Sequence, residues 1–186
     1  AAPPSARETF LHLLDDPTRH EVVGLLAYAE DLAGGLMNTR FARLRPDMTV
    51  DEAMAYLRKQ GRQQVETIYY CYVLDADQRL LGVVSFRELF DADADRHVRD
   101  VMRTAMVTVT DHTPQDQVAR LFERAGLLAL PVVDADGRMR GIITADDAVY
   151  AATEQATKEI QKIGGSEALG VPYLEIGFAS MVRKRA

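Results

Sequence analysis

The sequence predicts a mixed α/β (α+β) fold built from two copies of one strand, helix, strand, strand, helix unit, with a short helical segment before them and a long helix after. Three observations carry that reading. The chain repeats itself: Asp75 and Asp134 stand 59 residues apart, as do Gly82 and Gly141, while Met37 and Met102 are 65 apart. Apolar positions switch between helical spacing and short continuous runs, as they do where helices interleave with buried strands. Asp-rich polar turns separate paired apolar runs at the same place in each copy, as hairpins require.

Taken in order, Phe10, Leu11 and Leu14, then Val22, Leu25, Leu26 and Ala29, recur at helical spacing. Residues 8 to 33 therefore read as one or two short helices, interrupted at Asp16-Pro17 and ended by Gly34-Gly35. The first copy runs from Leu36-Met37 through extended Phe41-Ala42-Arg43-Leu44 to a helix opened by Thr49 with Glu52 three residues on, a pair that can satisfy two orphan amides. Val50, Ala53, Met54 and Leu57 form its apolar stripe, followed by a strand at 67 to 74, a turn at 75 to 79, a strand Leu80 to Val84 and a helix near Ser85. The second copy starts at Val101-Met102 and passes through Val107-Thr108-Val109 to a helix opened by Thr113-Pro114, with proline at its first position. Val118, Leu121 and Phe122 supply the stripe, Gly126 the stop, Leu128 to Val133 and Met139 to Ile143 the hairpin, and Thr144 the start of the long last helix. The difference between the two offsets assigns the first copy six extra residues, placed in the Arg58 to Glu66 connection. Neither copy can bury its hairpin alone, so the two are expected to pack together. The chain divides into a helical prelude (1–35), a first copy (36–95), a second copy (96–152) and a connecting helix (153–186).

Composition limits the function. With 22 Lys and Arg against 28 Asp and Glu, the formal charge is −6, so no basic excess is available for nucleic acid, and a cation is the more natural small partner. The single cysteine, Cys71, permits no internal disulfide or thiolate metal site and reads as a buried structural thiol. No run approaches the roughly 18 apolar residues of a membrane span, and Ala1-Ala2-Pro3-Pro4-Ser5 does not resemble a signal peptide. A start without Met and an end at Arg185-Ala186 read as a piece of something longer. His12, His20, His97 and His112 are scattered, and no phosphate loop or nucleophile motif stands out, so catalysis is not expected. Tyr69, Tyr70 and Tyr72 share a strand, where packing is their ordinary use.

Gly82-Val83-Val84-Ser85 and Gly141-Ile142-Ile143-Thr144, the latter preceded by Pro131-Val132-Val133-Asp134, resemble the paired cystathionine-beta-synthase (CBS) domain family. The flanks narrow this: Leu26 to Met37, Glu66-Thr67-Ile68-Tyr69-Tyr70 and Glu159 to Gly165 resemble the cytosolic region of the MgtE family of magnesium transporters. The resemblance implies a remnant of an acidic helical domain at 1–35, a CBS-domain pair, and a helix leading to a transmembrane pore domain outside this chain. It implies a homodimer at the cytoplasmic face of the cell membrane, with divalent cations as partners and no enzymatic step. Arg183-Lys184-Arg185 has the basic character found just before a membrane helix, against a plain solvated tail.

Magnesium takes oxygen ligands and keeps several waters, so one or two carboxylates per ion suffice. Asp146 and Asp147 open the last helix, and Glu154 and Glu159 follow on it; Asp147 and Glu154 are seven residues apart, on one face. On the residues alone, helix capping is the ordinary use of the two aspartates. By resemblance, Asp147 matches a family ligand position, and bound ions draw like-charged surfaces together to close the pore. Tyr150, Gln155, Lys158 and Gly126 stand where the family places carboxylates. Asp116, Glu123, Glu154 and Glu159 then either take over or leave the ligands to the acidic domain. The resemblance also implies a site for ATP or another adenine nucleotide. Thr144 with Asp147, and Ser85 with Glu88, are the hydroxyl and carboxylate pairs; Arg87 would meet phosphate, and Tyr70, Val107 and Pro131 would line an adenine slot. Helix capping is the competing use of Ser85 and Thr144. Three classes of function follow: a magnesium-sensing region of a transporter, an adenine-nucleotide-binding regulatory module, or a dimerisation scaffold.

Overall fold

The computed structural model describes residues 12–60 and 67–163. The expectations for Phe10, Glu66, the 61–66 connection, Gly164-Gly165, the basic tail and the rest of 164–186 lie outside the described residues. The order of elements is α1 (Asp16–Leu25), α2 (Ala33–Leu36), β1 (Phe41–Leu44), α3 (Val50–Gln60), β2 (Thr67–Leu74), β3 (Leu80–Ser85), α4 (Phe86–Asp91), α5 (Val98–Val101), β4 (Val109–Thr110), α6 (Gln115–Ala125), β5 (Ala129–Val133), β6 (Met139–Thr144) and α7 (Ala145–Ile163). Residues up to Val149 form one compact unit, and the remainder of α7 belongs to a second.

Each copy builds a three-stranded sheet, β1-β2-β3 and β4-β5-β6, with a parallel first pair and an antiparallel hairpin. Helices α1, α3 and α4 start on polar caps. Asp15 accepts from the Thr18 amide at the head of α1, and Thr49 and Glu52 exchange hydrogen bonds of 2.9 and 3.2 Å at α3. Gly126 ends α6 at φ 59°, a left-handed cap that glycine adopts without a Cβ clash. The 65-residue offset holds to the ends of α3 and α6, and the 59-residue offset holds through both hairpins, so the six-residue surplus falls between α3 and β2.

Three expectations are corrected. Gly34-Gly35 does not stop the helical prelude; both residues lie inside α2. A Cβ on Gly34 would strike the Tyr28 ring, and one on Gly35 the Ala29 carbonyl, so close approach accounts for the pair. Pro114 precedes the first helical residue of α6 rather than occupying it. The leading strand of the second copy covers Val109–Thr110 alone, leaving Val107 exposed.

The copies exchange their leading helices. Val98 and Val101 of α5, with Met102, pack into the core of the first copy beside Ala53, Cys71, Val84 and Leu89. Ala33 of α2, with Met37, packs into the second beside Val118, Leu130 and Ile143. Matching backbone bonds hold each exchange: Val98 N–H to Met48 O (2.9 Å) and Val50 N–H to Arg96 O (2.8 Å) in one, Ala33 N–H to Thr113 O (2.8 Å) and Gln115 N–H to Asp31 O (2.9 Å) in the other. A third cluster of Phe41, Tyr72, Leu74, Met139 and Ile142 joins the copies, with Phe41 and Tyr72 in edge-to-face contact at 5.7 Å. Cys71 is fully buried there in the first core, and burial pushes its thiol up to about 12, as expected of an inert structural cysteine.

Candidate functional site

The hairpins place equivalent residues at equivalent positions. Tyr70 pairs with Ser85 across β2 and β3, and Ala129 with Thr144 across β5 and β6. Both strands β3 and β6 therefore end on a hydroxyl that opens a helix. Ser85 is a complete cap: its Oγ accepts from the Glu88 amide at 3.2 Å, and Glu88 Oε2 accepts from the Ser85 amide and hydroxyl at 2.8 and 2.7 Å. In the second copy the Thr144 hydroxyl donates to Asp147 Oδ2 at 2.6 Å.

A cavity of about 640 Å³ opens between the copies, lined by Tyr70, Tyr72, Val83, Ser85 and Glu88 from the first and by Arg103, Ala105, Met106, Val107, Leu127, Ala129 and Pro131 from the second. Its volume suits a ligand of nucleotide size, and its make-up, an apolar slot with a few convergent polar groups, is that of a small-molecule site. Arg103 crosses to the first copy, its Nε donating to Glu88 Oε1 at 2.5 Å. Partial burial pushes the Glu88 carboxyl up, but the Ser85 amide and hydroxyl and the Arg103 guanidinium outweigh it and hold the group below the ordinary glutamate range. Burial pushes the Tyr72 phenol well above its usual range, and its hydroxyl has no hydrogen-bond partner among the described residues.

Of the expected nucleotide residues, Tyr70, Ser85, Glu88, Val107 and Pro131 come together on this cavity. Arg87 does not line it; its side chain is 90% exposed and faces Asp91 at 3.6 Å. Thr144 and Asp147 also lie off its wall, paired with each other at the equivalent position of the second copy. Sequence reasoning missed Arg103, Leu127 and Ala129. The repeat itself carried a signal for one of them: Ala129 is the 59-residue equivalent of Tyr70.

The carboxylates considered for metal are less concentrated. Asp146 and Asp147 open α7, and Glu154 and Glu159 lie further along its backbone. Asp146 is held below the ordinary aspartate range by the Thr144 hydroxyl first and by the amides of the helix start next; the 2.6 Å contact gives the single hydroxyl proton to Asp147. Asp116 pairs with Arg120 at 3.4 Å on α6, and Glu123 is exposed on the same helix. Among the described residues, no group of three or more His, Cys, Asp or Glu side chains is placed to hold a metal ion. Nor is any helix among them long and apolar enough to cross a membrane.

The family model for the CBS domain matches residues 30–95 and 98–154. The chain is 42% identical over 165 residues to the magnesium transporter MgtE of Thermus thermophilus, covering 89% of this chain and 36% of that protein. It is similar to the crystal structure of the cytosolic domain of the Mg2+ channel MgtE in complex with ATP, with a TM-score of 0.76 at 43% identity, covering 78% of this chain and 58% of that one. It is also similar to the crystal structure of the soluble part of a magnesium transporter, with a TM-score of 0.79 at 34% identity, covering 83% and 60%.

Proposed function

The chain belongs to the CBS-domain family and is homologous to the cytosolic domains of MgtE magnesium transporters, and from that premise we propose that it is the magnesium-sensing regulatory region of such a transporter. The observation that carries this reading is the 42% identity over 89% of the chain, which extends beyond the CBS pair into both flanks. The region converts no substrate. It works at the cytoplasmic face of the membrane as a homodimer, and a pore domain elsewhere in the full-length protein conducts the ion.

The residues present fit a bridging role for magnesium better than a closed site. Asp146 and Asp147 stand side by side at the start of α7, exposed and half-buried. A carboxylate from this helix start, with retained waters, fills part of a magnesium shell, and a facing surface supplies the rest. Asp147 is the principal candidate, with Asp146, Glu154, Glu159, Asp116 and Glu123 as further ones. Bound magnesium offsets the repulsion of facing acidic surfaces and favours a closed arrangement; its loss releases them. Sedimentation velocity on metal-stripped protein tests this. A rise in sedimentation coefficient on adding millimolar magnesium, reduced in Asp147→Asn, is expected; equal coefficients with and without the ion contradict it.

A second reading concerns the same regulation. The cavity between the copies, with Tyr70, Val107 and Pro131 as an apolar slot and Ser85 and Glu88 at its polar end, fits an adenine nucleotide. The MgtE cytosolic domain of similar fold was crystallised with ATP. When bound, the nucleotide adds contacts across both copies and stiffens the pair. Equilibrium dialysis with ATP is expected to show saturable binding that Tyr70→Ala weakens.

A further inference from the structure

We propose that Arg103 is the phosphate-binding residue of the cavity between the copies, oriented by Glu88, and that it makes the site select phosphorylated nucleosides over free nucleosides. The inference rests on the nucleotide reading above and assigns within it a role that the sequence pattern gave to Arg87.

The backbone of Arg103 is fixed by the fold. Its N–H donates to Val83 O at 2.8 Å and its C=O accepts from Val83 N–H at 2.9 Å, an antiparallel bridge between the copies. Gly82 permits that approach, because a Cβ there would lie 2.8 Å from the Arg103 carbonyl. The side chain is then held at one point only. Nε donates to Glu88 Oε1, and this is the only side-chain hydrogen bond of Arg103 among the described residues.

That contact orients the guanidinium without consuming it. Arginine carries five donors in a planar fork, so a single Nε contact leaves the terminal nitrogens to pair with an anion. Glu88 in turn is held by the amide and hydroxyl of Ser85, so it anchors the fork firmly. The Arg103 side chain is 71% exposed and that of Glu88 26%, which places the arginine at the wetter end of the cavity, where a phosphate carried by a nucleoside emerges. Preorganised, charge-assisted donors of this kind are strong phosphate ligands.

The repeat sharpens the argument. The 65-residue equivalent of Arg103 is Asn38, which makes the same bridge, to Ile142 at 2.7 and 2.9 Å. The equivalent of Glu88 is Asp147, which pairs with Thr144. One fold position, used twice, thus carries a cation in the copy where it lines the described cavity and an amide in the other. Arg87 is turned to Asp91 and is off the wall.

The test is calorimetric titration of the chain with adenosine and with AMP, in the absence of divalent ions. The unaltered chain is expected to bind AMP about tenfold or more tightly than adenosine. Its AMP affinity should fall with added NaCl while its adenosine affinity holds. Arg103→Met should bring the two affinities within about threefold and leave adenosine binding within about twofold, which also reports an intact cavity. Arg87→Met should keep the preference for AMP. An unchanged preference in Arg103→Met, its loss in Arg87→Met, or salt-independent AMP binding in the unaltered chain overturns the inference while the nucleotide reading stands. Failure of the unaltered chain to bind either compound overturns that reading and the inference together.

Discussion

Gln78 and Gly137 occupy the same position of the two hairpin turns, and both adopt positive φ, 65° and 78°. Around them Asp75 and Asp134 fold identically: each Oδ1 accepts from the amides two and four residues on, at 2.9 and 2.8 Å. Glycine meets the left-handed conformation without cost, and glutamine does not. Gln78→Gly is therefore expected to raise stability by up to about 1 kcal/mol and Gly137→Ala to lower it by about 1 kcal/mol, read from urea denaturation midpoints. Glu88 gives a second residue-scale expectation. Its carboxyl titrates lower in the folded chain than in the unfolded one, so its contribution is present above the unfolded value of about 4.3 and is lost as pH falls through the folded value. Melting curves from pH 6 to 3 should show Glu88→Gln below the unaltered chain near pH 6, with the gap closing toward pH 3. A gap of constant size would contradict the assignment.

Most elements were legible because their signals are local. The Thr49 and Glu52 capping box, the Gly126 stop and the two Asp turns each follow from residues within a few positions. That the hairpin residues Tyr70, Ser85 and Glu88 share one cavity was legible through resemblance and the strand-to-helix junction. Arg103 was not, because it reaches its partner Glu88 only through a bridge between copies. The exchange of α2 and α5 was hidden for the same reason: apolar periodicity says that a short helix is buried, not which core receives it. Gly34-Gly35 misled because a glycine pair that stops a helix and one that admits a Tyr ring look alike in sequence. Gly82 and Gly141, by contrast, have a use the structure makes plain. A Cβ at either would lie 2.8 Å from the carbonyl of Arg103 or Asn38, against the two bridges that join the copies. Gly82→Ala and Gly141→Ala should each destabilise by about 1–3 kcal/mol in chemical denaturation. Neutral substitution at both would mean that the bridges are dispensable.

At the scale of the whole molecule the copies are one folding unit. The core of the first copy needs Val98, Val101 and Met102, and that of the second needs Ala33 and Met37. Residues 36–95 expressed alone lack three apolar groups of their own core: Val98, fully buried and worth about 1.5–3 kcal/mol, and the partly buried Val101 and Met102, together a large share of a small domain's stability. The fragment should show no cooperative melt by circular dichroism, whereas 30–152 should; a cooperative melt of 36–95 would show that the exchange is unnecessary. The same interdependence suits a regulatory element, since a ligand between the copies contacts both halves of one unit. The central claim, that this unit reports magnesium through carboxylates at the start of α7, is tested most directly by calorimetric titration of the metal-stripped chain with magnesium at near-physiological salt. The account predicts saturable heat at millimolar magnesium that Asp147→Asn diminishes. No heat, or heat equal in Asp147→Asn and the unaltered chain, would contradict it.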